Sequence, residues 1–213
     1  MLSDPIMYRL HTVFEYYENE VLISKLEGYL SDVQGFTLMV LAEQGPGAGA
    51  IVEIGSFKGK STCWLAKGAK KASREKVTAI DAFTGSPEHQ PGMENEDHDV
   101  VRIGTTLEAF KRNIAAIGVD DYVETIVAKS QDAATAWLGP IRLLFIDADH
   151  SYEASKQDFD LWSPHVVRGG LVCLHDIGHW PGVTEFYDRE VKTNAVYREV
   201  LNVMGLVVLE KIE

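Results

Sequence analysis

Two cysteines in 213 residues leave little scope for a disulfide framework. Cys63 and Cys173 lie far apart in apolar contexts and read as buried thiols of a reducing compartment. Cations are scarce as well: Lys and Arg number 20 against 32 Asp and Glu, for a formal net charge of −12. Nucleic acid and anionic membranes need clustered cations, so neither is an expected partner. No apolar run is long enough to span a bilayer, and the start of the chain has no basic-then-apolar signal pattern. A cytoplasmic protein is the expectation. Internal repeats, low-complexity tracts and an inter-domain linker are also missing. What is present is 46% hydrophobic residues, enough for a packed core, and a length that suits one large domain.

The first segment reads as helical. Leu10, Val13, Phe14, Tyr17 and Val21 share one helix face, with Gly28 as the stop. Ser31 and Gln34 fit a capping box for a second helix that runs to about Glu43, before a glycine- and proline-rich break at 45–49. Strand-like runs then alternate with helices. The strands fall at Ile51–Ile54, Val77–Ile80, Val123–Val127, Leu143–Ile146 and Leu171–Leu174. The helices fall at Thr62–Lys71, Thr105–Ile117 (with a Thr105/Glu108 capping box), Asp132–Leu138, Glu153–Trp162 and about Val183–Lys192. Alternation of this kind implies parallel strands joined by right-handed crossovers. Two last runs, Ala195–Leu201 and Leu206–Ile212, are linked closely enough to pair antiparallel.

The most informative stretch is 51–61, which has the pattern E-x-G-x-x-x-G-x-S. It supplies a carboxylate on a strand end (Glu53), glycines bracketing a turn (Gly55 and Gly59), and serines in and after it (Ser56 and Ser61). Glycines permit close backbone approach to a ligand, and the following helix directs free N–H groups at it. The spacing fits neither a dinucleotide fingerprint nor a phosphate-binding loop. It resembles the first motif of the class I S-adenosylmethionine-dependent methyltransferases, whose cosubstrate carries an ammonium and a sulfonium. That resemblance implies an α/β fold: a Rossmann-like seven-stranded, mostly parallel sheet with helices on both faces. The organisation of the chain reads as one domain over 1–213 with an N-terminal helical cap (1–48), and the polar segment 82–104, longer than a usual strand–helix connection and beginning at a strand end, reads as a lid-like insertion or as a solvated acidic loop.

Ligands of open parallel sheets sit beyond the carboxyl ends of the strands. Asp81 follows the second strand, where the family uses a carboxylate to take both ribose hydroxyls. Ser130 and Gln131 follow the third and resemble the adenine-contacting segment of catechol-type O-methyltransferases; an ordinary helix cap is the alternative for Ser130. The fourth and fifth strand ends read F-I-D147-x-D-H150-S-Y and G-G-L-x-x-x-H175-D176. These look like the group that includes macrolide-sugar O-methyltransferases and cephalosporin-biosynthesis proteins. In its metal-dependent members, acids at the positions of Asp147, His175 and Asp176 hold a divalent cation, and a histidine at the position of His150 is the general base. Here His175 replaces an acid. That replacement either shifts preference from Mg²⁺ toward Mn²⁺, Fe²⁺ or Zn²⁺, or removes the metal site. Asp149 reads as a turn cap.

The resemblance therefore implies S-adenosylmethionine as cosubstrate and O-methylation of a small-molecule hydroxyl, with Asp147 and His150 as catalytic residues. A dinucleotide oxidoreductase, a metal-dependent hydrolase using the same acids and histidines, and a non-catalytic binder are the rival readings. Trp180, Pro181, Phe14, Tyr16 and Tyr17 are candidates for an acceptor pocket or for a contact between copies in a homo-oligomer, against the plainer reading of core aromatics.

Overall fold

The computed structural model describes the backbone of residues 4–213 and side chains from Met7 onward; residues 1–3 of the expected cap lie outside it. The chain runs α1 (Asp4–Ile23), α2 (Asp32–Gln44), β1 (Ala50–Ile54), α3 (Lys60–Lys71), β2 (Val77–Asp81), α4 (His98–Ile103), α5 (Leu107–Ile117) and β3 (Val123–Val127). It continues through α6 (Ser130–Ala134), β4 (Ile141–Ile146), α7 (Tyr152–Trp162), β5 (Val166–Leu174), α8 (Pro181–Phe186), β6 (Tyr197–Val203) and β7 (Leu206–Lys211). The seven strands form one sheet in the order β3-β2-β1-β4-β5-β7-β6. β1 to β5 are parallel, and β7 runs antiparallel between β5 and β6.

Side-chain alternation along the central strands builds two cores. Ile51, Leu143 and Phe145 pack with Trp64, Leu38 and Met39 on the face covered by α2 and α3. Val52, Ile54, Leu144 and Ile146 pack with Phe159, Trp162 and Phe186 on the opposite face. A strand buried on both faces reads as a continuous apolar run, which is why β1 and β4 were legible. The helices of the first layer pack closely because Gly68 of α3 meets the backbone of α2; a Cβ there would lie 2.0 Å from the Met39 carbonyl oxygen. A buried strap also crosses from that layer to the sheet. Arg142 is buried in β4, pairs with Glu75 and donates to the carbonyls of Leu41 and Ala42 at the C-terminal end of α2. Cations suit that end of a helix.

The Ser31/Gln34 capping box forms as expected. Thr105/Glu108 does not: α5 begins at Leu107 with Thr106 at the cap position, and the Thr105 hydroxyl accepts only from the Leu107 N–H, at 3.2 Å. Gly28 does not stop the first helix, which ends at Ile23; it sits instead against the Lys60 side chain. The helix after β3 is Ser130–Ala134, not Asp132–Leu138, and the one after β5 begins at Pro181 and widens into a π-helical turn over Tyr187–Val191. The apolar face of α1 faces outward. Phe14 is 65% exposed and Tyr17 58%, while Glu15, Tyr16 and Ile23 form the side that meets the body.

Candidate active site

The switch in strand order between β1 and β4 opens a crevice at their carboxyl ends, and the glycine turn fills its floor. Gly55 (φ 85°) is required by backbone crowding: a Cβ would lie 2.1 Å from the Asp147 carbonyl oxygen. β4 comes that near because the Asp147 N–H donates to the Ile54 carbonyl, at 2.9 Å. Gly59 (φ 86°) opens α3 without a side-chain cap, leaving the helix N-terminus directed at the crevice beside Lys60 and Ser61. Asp81 anchors the turn. Its Oδ2 accepts from the N–H groups of Ser56 (2.8 Å) and Phe57 (2.7 Å), and its Oδ1 from that of Phe83 (2.6 Å).

Glu53 departs from expectation. It has no exposed surface and is not on the crevice wall. Its carboxylate accepts from the hydroxyls of Ser56 (2.8 Å), Ser61 (2.6 Å) and Thr62. Burial pushes the Glu53 carboxyl up to about 7, with the three hydroxyl donors working against that shift. So Glu53 holds the turn from beneath, with no surface on the cavity.

Above this floor lies a cavity of about 570 Å³, within the range of small-molecule sites. On the β2–β3 side its wall is Asp81, Ser130, Gln131 and Asp158; on the β4–β5 side it is Asp147, His150, Asp176 and Trp180. The Ser130 hydroxyl accepts from Trp162 Nε1 at 2.8 Å, so it is a held wall residue as well as the first residue of α6. Asp158, on α7, has its carboxyl pushed up to about 6 by burial, against a hydrogen bond with Ser130. Nothing in the sequence pattern singled it out. Phe14, Tyr16, Tyr17 and Pro181 do not line the cavity, whereas Trp180 does.

Three of the expected residues converge into one cluster. Asp147, His175 and Asp176 each offer a ligand atom, and these atoms lie within 4.8 Å of one another. His175 Nδ1 is 3.1 Å from Asp147 Oδ1 and 3.4 Å from Asp176 Oδ1. His150 Nε2 is 3.1 Å from Asp176 Oδ2 and 3.8 Å from Asp147 Oδ1. Burial favours the neutral imidazoles, but the carboxylates prevail: His175 is pushed up to about 10 by Asp147 and Asp176, and His150 up to about 11 by Asp147, Asp176 and Glu88. Asp147 is held far below the usual carboxylate range: burial opposes this, but His175 and His150 prevail. In the absence of another cation, the two imidazoliums neutralise the acids. Asp149 is not part of the cluster; its Oδ1 accepts from the Ser151 N–H at 2.8 Å, a turn cap as expected.

The segment 82–104 forms the roof. Glu88 Oε1 reaches His150 Nδ1 at 2.8 Å, and Trp180 stacks on the same ring at 4.7 Å with an interplanar angle of 9°. His89 stacks between Phe57 of the glycine turn (4.6 Å) and Tyr29 (5.5 Å). Lys58, 1% exposed, pairs with Asp97 (2.7 Å), Asp99 (3.2 Å) and Glu27. Glu27 and Asp99 also belong to a second acid–histidine group, with His98, and the Lys58 ammonium already pairs with both of its acids. Glu88, Asp97 and Asp99 escaped the sequence reading because they lie deep in the loop after β2, well beyond the strand end, and Lys58 because the glycine motif assigns no task to its side chain. Only the placement of Lys58 inside the glycine motif hinted at a role.

Residues 52–177, more than half of the chain, match the family model described as a methyltransferase domain. The chain belongs to this methyltransferase family. The catechol O-methyltransferase of Mycobacterium tuberculosis (strain ATCC 25618 / H37Rv) is 32% identical over 127 residues, which is 59% of this chain and 46% of that protein. The methyltransferase chain thus spans about half the length of the curated relative it matches. Among solved structures, the O-methyltransferase NovP superposes with a TM-score of 0.66 at 18% identity, covering 85% of this chain and 79% of that one. Cofactor-bound Rv0187 from MTB gives 0.64 at 19% identity, covering 99% and 90%. The O-methyltransferase from Bacillus cereus in complex with SAH gives 0.61 at 17% identity, covering 95% and 91%. At these identities the structures establish a shared fold, that of S-adenosylmethionine-dependent methyltransferases.

Proposed function

We propose that this methyltransferase binds S-adenosylmethionine and transfers its methyl group to a hydroxyl of a small molecule. One observation carries the reading: a single cavity joins the cosubstrate turn, with Asp81, Ser130 and Gln131, to the ionisable cluster of Asp147, His150 and Asp176. The cosubstrate's nucleoside end belongs on the β2–β3 side, and its methyl group is directed toward the β4–β5 side. In the reaction the acceptor oxygen attacks the methyl carbon, the carbon–sulfur bond breaks, S-adenosylhomocysteine leaves, and the acceptor's proton passes to a base. His150 is that base, with Glu88 on Nδ1 and Trp180 on its face holding the ring so that Nε2 serves the acceptor.

A histidine pushed up to about 11 is protonated at neutral pH and is no base. It becomes one when other positive charge engages Asp147 and Asp176. The donor set fits a divalent cation: two carboxylates and one imidazole converge, and a mixed O/N set favours Mn²⁺, Fe²⁺ or Zn²⁺ over Mg²⁺. Such a cation would be held by Asp147, His175 and Asp176, and when bound it lowers the pKa of a coordinated hydroxyl. Remaining rate comes from alignment of acceptor and methyl group in the closed cavity.

The test joins calorimetric titration with S-adenosylhomocysteine to a methyl-transfer screen over phenol, sugar and carboxylate acceptors, before and after EDTA treatment. The name of the mycobacterial relative puts catechols first among them. Binding of S-adenosylhomocysteine, transfer to oxygen, and loss of turnover on chelation with recovery on adding Mn²⁺ are expected. His150→Ala should lower kcat about 10²–10⁴-fold with cosubstrate affinity retained. Failure to bind S-adenosylhomocysteine overturns the reading, and full activity after chelation removes the cation from it.

A further inference from the structure

Asp158 is a buried acid for which the proposed reaction has no task. It lies on α7 one helical turn after Ala154, lines the cavity on the β2–β3 side and is only 6% exposed. A buried carboxyl ordinarily has a cation or several donors beside it. Among the described residues Asp158 has one hydrogen-bond partner, the Ser130 hydroxyl, and the charge that acts on it is that of Asp149, of the same sign. The Ser130 hydroxyl is itself fully used. It accepts from Trp162 Nε1 at 2.8 Å, and its single proton goes to Asp158. A carboxylate offers about four acceptor positions, so Asp158 keeps capacity for a further donor where Ser130 does not. The cavity wall also includes Ile80 and Ala82 at the end of β2, Ala128 after β3, Ala148 after β4, and Ala154. Their side chains carry no donor. Small apolar walls with one under-used acceptor suit a flat ring that brings its own N–H.

We propose that Asp158 selects the cosubstrate's adenine, its carboxyl accepting a hydrogen bond from the 6-amino group. This rests on the use of S-adenosylmethionine proposed above. With the methyl group directed to the β4–β5 side, the nucleoside lies on the β2–β3 side, where Asp158 stands. The 6-amino group carries two N–H donors, and a carboxyl without a cation is complementary to them. When protonated, the same carboxyl donates to adenine N1 and still accepts from the amine, so either form reads this edge. Gln131 and Gln157 share the wall, but an amide pairs with donors and acceptors alike and discriminates less. The relay from Trp162 Nε1 through the Ser130 hydroxyl engages one oxygen of Asp158 and fixes the group from behind. A dry site built to hydrogen-bond a ligand group rejects analogues that lack the group, because its own polar side chain is then left unpaired.

Calorimetric titration of the full chain with S-adenosylhomocysteine and with its 6-deamino analogue, in which hydrogen replaces the amino group, tests the proposal. The native chain should bind the analogue about 10–100-fold more weakly. Asp158→Ala should weaken S-adenosylhomocysteine but not the analogue, bringing the two affinities within about twofold of each other. Asp158→Asn should keep most of the preference, since its amide oxygen still accepts from the amine. Gln131→Ala and Gln157→Ala should keep it too. Should Asp158→Ala not fold, Asp158→Ser is read in the same way; its hydroxyl stays near Ser130 but ends one bond short of the carboxyl oxygens. A residue that only held Ser130 and α7 in place would weaken both ligands alike when replaced. That result, with the preference intact in Asp158→Ala, overturns the proposal, as does loss of the preference in Gln131→Ala or Gln157→Ala instead. Equal binding of the two ligands by the native chain overturns this proposal alone. Failure of the native chain to bind S-adenosylhomocysteine overturns the cosubstrate reading, and this one with it.

Discussion

Glu53 shows how one residue can be correctly singled out and still act differently than its motif suggests. Its carboxyl is pushed up to about 7 from an ordinary 4.5 because it is enclosed, even with three hydroxyls donating to it. A carboxyl raised in the fold contributes stability that is complete below its unfolded value and is lost as pH rises through the folded one. Native stability should therefore fall between about pH 4.5 and 7 by an amount that Glu53→Gln abolishes, on the order of 1–3 kcal/mol. Thermal melts of both proteins at pH 5 and 6.5 read this difference, because the histidines, which titrate near 6.5 when unfolded, and Asp158 act equally in both. Matching slopes would mean that Glu53 ionises as readily inside the fold as outside it. Cosubstrate affinity in Glu53→Gln should change only through the turn that Glu53 supports.

Elements join at Lys58. This one ammonium binds the segment after α1 through Glu27 and the roof through Asp97 and Asp99, and its own backbone belongs to the cosubstrate turn. Burial alone would lower its pKa, but the three carboxylates raise it, so it stays charged. Lys58→Met should leave Asp97 enclosed without a counter-charge and Asp99 with only the exposed Arg102 as one, a loss of about 3 kcal/mol that falls on the roof. Amide exchange across 84–104 should accelerate selectively, and affinity for S-adenosylhomocysteine should drop about tenfold as the roof opens. Unchanged exchange there would show that the stack of Phe57, His89 and Tyr29 suffices to hold the segment. The long polar loop was legible as a lid from its length and its place after a strand end. Its fastening was not, because Lys58 and its acids lie on three separate elements.

At the scale of the whole molecule, Arg142 straps the helical layer to the sheet. Arg142→Met keeps the side chain's bulk but strands the Ala42 carbonyl at the end of α2, at about 1–3 kcal/mol when buried, and leaves Glu75 without its partner, while the Leu41 carbonyl keeps the Gly45 N–H. Chemical denaturation should report a loss of about 3 kcal/mol with cosubstrate affinity intact at the fold's own stability limit. A loss under 1 kcal/mol would mean that water replaces the guanidinium. Arg142 lies within an otherwise apolar strand, I-R-L-L-F-I, where the pattern assigns no task to a cation.

The sequence alone determined the order of elements, the strand ends that carry chemistry and most of the residues gathered there. Periodicity, capping and glycine placement are local properties, and an open parallel sheet converts strand ends into one crevice by topology. Tertiary structure decided the rest. It turned Glu53 inward and Asp81 toward the backbone of the turn, brought Glu88 over His150, and set α1 with its apolar stripe outward. Those outcomes depend on which surfaces meet between segments far apart in the chain. Spacing within one segment shows that an apolar face exists, but only the packing of the other elements decides what covers it.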